Sequence, residues 1–99
     1  MASYSVARAA HKTLSTTTVD TVTLTRKFRR VKVINRDNTN PIWVTYGSAP
    51  ADPVANADDI DIVMPGQTLD ISMAGARTST STNVVKVLGN GGAYSVIGV

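Results

Sequence analysis

Ninety-nine residues without a cysteine make a single domain with a thin core, exclude disulfides and thiolate metal sites, and leave association as the remaining way to secure the fold. All seven acidic side chains are Asp, and Ser and Thr abound, a mixture that favours strands and turns over helix. Residues 1–36 hold eight Lys or Arg against one Asp, whereas residues 37–99 hold two against six Asp, a split that suits packing against an acidic surface, or against further copies of the chain, better than solitary work on a small molecule.

The first segment, MASYSVARAAHK, has no apolar run long enough for a signal peptide, and no later stretch approaches a membrane span, so the expectation is synthesis in the cytoplasm and no membrane partner. Residues 1–14 read as an extended N-terminal arm, too poor in apolar side chains to bury itself on its own domain. Tyr4, Val6, Arg8, His11 and Lys12 are its candidate contacts with a neighbour that orders it. Residues 15–99 read as the folded domain.

In the Thr-rich stretch 13–25, Val22 and Leu24 alternate with Thr21, Thr23 and Thr25, the pattern of a strand with one wet face. FRRVKVIN at 28–35 places Val31 and Val33 on one face and Arg30 and Lys32 on the other. Phe28 and Ile34 share the basic face, which predicts a bulge or a partly covered outer surface. RDNTN at 36–40 is a turn, because Asp and Asn tolerate the left-handed region and bond their own backbone, and it is expected to make a hairpin with PIWVTYG at 41–47. That strand turns Ile42, Val44 and Tyr46 inward and Trp43 outward.

Residues 48–58, with two Pro, read as a long surface loop. Ile60 and Ile62 then alternate with Asp59 and Asp61, Pro65-Gly66 fits the centre of a type II turn, and Leu69 and Ile71 alternate with Asp70 and Ser72. Residues 74–82 form a polar loop, 83–89 a strand, 89–92 a glycine turn, and AYSVIGV a closing strand. Six or seven short strands at this spacing predict an all-β fold: a single antiparallel β-sandwich, jelly-roll or Ig-like. Its predicted core is Val22, Leu24, Val31, Val33, Ile42, Val44, Tyr46, Ile60, Ile62, Leu69, Ile71, Val85, Val87, Tyr94 and Val96.

Chemistry-bearing residues are few. The one His stands in the arm, far from any nucleophile the pattern can place beside it, so no enzyme is expected. Asp59 and Asp61 share a strand face about 7 Å apart, but alternating Asp outside a strand serves solubility and edge protection. Asn56, Asp58, Asp59 and Asp61 offer oxygen ligands without the glycine and terminal Glu of a calcium loop. The 89–92 glycines lack the Lys and helix of a phosphate loop. No cofactor and no metal are expected. Arg26, Lys27, Arg29, Arg30, Lys32 and Arg36 form a basic run, but one Phe and one Trp make a poor stacking platform. A protein-facing basic surface is therefore the reading over nucleic acid, with Trp43 as a candidate interface anchor.

VKVINRDNTNPIWVTYG, MPGQTLDIS and LGNGGAYSVIGV together resemble the small β-sandwich accessory proteins of tailed bacteriophage virions, over about residues 28–99. The resemblance implies a decoration or cement protein on the capsid exterior, made in the host cytoplasm, binding the major capsid protein and often trimeric. Tail and fibre modules that bind a receptor or carbohydrate share the same sandwich and are the rival expectation.

Overall fold

Burial alternates along the chain as the sequence demands. In Arg30–Asn35 the side chains of Val31, Val33 and Asn35 are buried while Arg30 and Lys32 face solvent. The structure, a computed structural model, describes residues 2–26, 28–47, 50–58, 60–72 and 83–99. Nine strands follow in order: β1 (Ala2–Val6), β2 (Ala9–Thr13), β3 (Thr16–Leu24), β4 (Arg30–Asn35), β5 (Ile42–Gly47), β6 (Asp61–Val63), β7 (Thr68–Ser72), β8 (Asn83–Asn90) and β9 (Ala93–Gly98). They form two packed sheets, β1-β3-β8-β5-β6 and β2-β9-β4-β7. All neighbours are antiparallel except β1, which runs parallel to β3. The fold is the expected all-β sandwich.

Between the sheets lie Val22, Leu24, Val31, Val33, Ile42, Val44, Ile71, Val85, Val87, Tyr94 and Val96, all buried as the alternation predicted, joined by Ala10, Leu14 and Val63. Four predicted core members depart from that pattern. Tyr46 is 42% exposed and Ile62 48% exposed, while Ile60 and Leu69 are half-buried. The β6 register explains Ile62: pairing of Ile42 with Val63 and of Trp43 with Ile62 turns Val63 inward and Ile62 outward. Asp61 then stands on the inward side of an edge strand, open to solvent, where an inward charge discourages further pairing.

The turns differ from the sequence expectation in one systematic way. The reversals at 36–41, 64–67 and 91–92 join strands of different sheets, so they are arches across the sandwich and not hairpins. A turn motif specifies that the chain reverses; which sheet the next strand enters depends on packing around the turn. Here Asn35 ties the two sides of the reversal together. Its buried side chain donates to the carbonyls of Asn40 and Val63, at 2.9 Å each, and accepts from the Asp37 amide at 3.0 Å. At the same end Gly92 lies so close to Asp37 that an added Cβ would stand 2.7 Å from the Asp37 Cβ. Phe28 belongs to the link before β4, its ring lying against Gly98. β4 pairs regularly on both sides, so of the two expectations for its outer surface it is the partial cover that holds, with Phe28 and Ile34 half-buried, and the shift in register falls in β3 between Thr16 and Val19.

Residues 2–13, expected as a free arm, are instead built into both sheets. β1 pairs with β3 from Ala2↔Asp20 to Val6↔Leu24, and β2 pairs with β9 from Ala9↔Ile97 to Thr13↔Ala93. Backbone pairing holds this segment, supplemented by Ala10 and Leu14 in the core and by Tyr4 and Val6 packed against it.

The β4–β7 pairing sets Val31 opposite Ile71 and Val33 opposite Leu69. Ile71→Ala is therefore expected to cost about 2 kcal/mol, at the low end for a buried Ile because β7 is an edge strand that can relax. Leu69→Ala should cost less. Urea midpoints of the two variants check the order, and a larger loss at Leu69 would contradict this packing.

Candidate interaction faces

A two-layer sandwich has two outer faces, and here they differ in chemistry. On the second sheet, cross-strand register lines up Ala9, Ile97, Lys32 and Asp70 in one row and His11, Ser95, Ile34 and Thr68 in the next. Arg30 and Lys32 stand exposed on β4, and Arg36 follows at its end. Arg30 meets Asp70 at 3.1 Å; both ends are well exposed, so this pair adds little stability. Arg36 donates to the carbonyl of Tyr94 at 3.2 Å, and Arg8 donates to that of Gly98 at 3.1 Å. Arg26 and Arg29 are exposed in the link that enters β4. Among the described residues of this face, Asp70 is the one acidic side chain. Asp52, Asp58 and Asp61 belong to the connection from β5 and to β6, at the far edge of the other sheet.

The basic residues read from the sequence therefore gather around one face, but not all the candidate contacts do. Lys12 stands on the inward side of β2, half-buried, with Nζ 4.4 Å from the centre of the Tyr4 ring, a cation–π contact that joins the N-terminal strands of the two sheets. Tyr4 and Val6 pack against the core, so these three serve the sandwich itself. Lys27 and Asp59 lie outside the described residues, as does the loop 74–82.

His11 Nδ1 lies 2.7 Å from Ser95 Oγ in a hydrogen bond, a pairing of residue types that the sequence order, 84 residues apart, gave no means to foresee. Ser95 is 1% exposed, and a nucleophile must reach its substrate. The contact ties β2 to β9 on the basic face and offers no attacking group. Among the described residues, no three His or acidic side chains gather to hold a metal ion.

Trp43 is on the opposite side of the molecule. It alternates with the buried Ile42 and Val44 on β5 and so points out from the first sheet. Register places it beside Leu88 of β8 on one flank and Ile62 of β6 on the other, and Leu88 is in turn beside Val19 of β3. The next row on this face is polar, with Thr21, Lys86 and Thr45 side by side. Lys86 Nζ is held by Asp52 at 2.7 Å, and Thr45 donates to the carbonyl of Ala51 at 2.6 Å. One basic face and one neutral face with an apolar row are thus carried back to back.

Known protein families give no match to this chain, and no curated protein matches it. Among solved structures, the Anabaena sensory rhodopsin transducer is similar over 85% of this chain and 96% of its own, at 9% identity and a TM-score of 0.44.

Proposed function

We propose that this chain is a structural protein of a virion, a decoration or cement subunit that lies on the capsid exterior and packs its basic face against acidic surface of the major capsid protein. The observation that carries the reading is the gathering of Arg26, Arg29, Arg30, Lys32 and Arg36 on and beside the outer face of the second sheet, with most of the acidic side chains elsewhere. Such a face steers encounter with an acidic partner and fixes orientation on it. A subunit bridging shell proteins binds only the assembled state, so mass action over many copies turns weak contacts into resistance to disassembly.

The test is co-sedimentation with purified particles. Arg29→Glu with Lys32→Glu alters exposed side chains and should leave the melting temperature near that of the unaltered chain while weakening particle binding at least about tenfold. Raising salt from about 50 to 500 mM should do the same to the unaltered chain, since exposed charges are screened over shorter distances. Binding indifferent to both would remove the basic face from the mechanism. Copy number per particle, by quantitative mass spectrometry, separates a shell subunit from a tail or fibre module, which would be present in few copies.

A further inference from the structure

The row formed by Val19, Leu88, Trp43 and Ile62 is not used by the basic face. It crosses four adjacent strands in unbroken register and, at the usual strand spacing, spans about 14 Å. Ile62 is 48% exposed, and Val19, Leu88 and Trp43 are half-buried. Single apolar side chains on a wet face are ordinary. Four contiguous ones, centred on the chain's one Trp, are the composition of an interface centre.

We infer that this outer face of the first sheet is the contact between two copies of the chain, packed sheet on sheet about a two-fold axis. Charge selects the occupant. Among the described residues, the strands of this face present one outward charge, Lys86, and Asp52 already neutralises it at 2.7 Å. An acidic or basic partner finds nothing there to complement, whereas a second copy meets no repulsion. The basic face of the other sheet has the opposite property, because two copies brought together there would repel.

The order of the row is itself suited to a second copy. A two-fold axis lying in the plane of the contact, parallel to the strands and between Leu88 and Trp43, reverses the row, setting Trp43 over the other copy's Leu88 and Ile62 over the other copy's Val19. Each large side chain meets a smaller apolar one, and a β-branched residue lies at each end. A contact of this kind is isologous and closes at two copies, leaving both basic faces outward and on opposite sides of the pair. The inference stands apart from the virion reading, since it concerns the chain alone.

The single Trp makes the test direct. Sedimentation equilibrium of the full chain from about 1 to 500 µM should show the mass rising from one copy to two. Over the same range Trp43 emission should shift to shorter wavelength and acrylamide quenching should fall. Ile62→Lys and Leu88→Lys should each weaken association at least about tenfold. Ile62→Lys should do so at an unchanged melting temperature, since its position is half exposed, which separates loss of contact from loss of fold. Added salt should not dissociate the pair. A chain that stays monomeric at the top concentration, that forms trimers, that associates equally well with both lysine variants, or that is dissociated by salt overturns the inference.

Discussion

Asn35→Ala is expected to remove about 4 kcal/mol of stability, a large part of the roughly 5–15 kcal/mol available to a domain. The amide of this fully buried side chain serves three backbone groups: the carbonyls of Asn40 and Val63 and the N–H of Asp37. Alanine leaves them unpaired at a site closed to solvent, at a cost of about 1–3 kcal/mol for each group that water does not reach. The backbone of Asn35 also donates to Gln67 and accepts from Gly66, so the residue holds the 36–41 arch, β6 and the 64–67 arch to one another. Asn35→Asp should be at least as damaging, because it exchanges a donor facing two carbonyls for a carboxylate. Chemical denaturation measures both. A loss below about 1 kcal/mol for Asn35→Ala would mean that water replaces the amide and that the arches are held by other contacts.

Much of the sandwich is legible in the sequence because its central strands turn their core side chains to one face and must alternate. Val31 and Val33, Ile42 and Val44, Val85 and Val87, and Tyr94 and Val96 were all placed inward by that rule and are inward. Where the rule has too few residues to act on, it misleads. β6 has three residues, and its face is chosen by pairing with β5, which takes Val63 in place of Ile62. In β2, AAHKT buries Ala10 alone among its apolar residues, so the strand is held by backbone bonds to β9, which leave no apolar period to read.

The basic face was legible as composition and its isolation from Trp43 was not. Lys32 and Trp43 are eleven residues apart on two strands that flank one turn, and a hairpin would have kept both in one sheet. The turn instead carries the chain across the sandwich, so alternation counted outward from the core points Lys32 and Trp43 in opposite directions. Asn35 was the available signal. It continues the inward series after Val31 and Val33, and a polar side chain at an inward position must find partners; the partners it finds are the carbonyls on the far side of the arch.

A second buried polar contact should show itself in the pH dependence of stability. Tyr94 and Asp20 are both buried, and the phenol donates to Asp20 Oδ2 at 2.8 Å, joining β9 of one sheet to β3 of the other. Burial first, then the hydrogen bond and charge of Asp20, push the Tyr94 phenol far above the ordinary tyrosine range. In the unfolded chain a tyrosine loses its proton near pH 10, while folded Tyr94 keeps its own. The unfolded state then binds fewer protons, so the contribution of Tyr94 is complete below about pH 9 and falls by about 1.4 kcal/mol per pH unit above 10. Tyr94→Phe should abolish this contribution to the alkaline slope. At neutral pH it should cost about 3 kcal/mol, because Asp20 loses its donor in a closed site. Asp20→Asn added to Tyr94→Phe should recover part of that loss, since a neutral amide is less costly to leave unpaired than a carboxylate. Urea unfolding between pH 7 and 11, with phenolate absorbance followed in parallel, gives the measurement. A Tyr94→Phe variant with the stability and alkaline slope of the unaltered chain would show that the contact contributes nothing to holding the two sheets together.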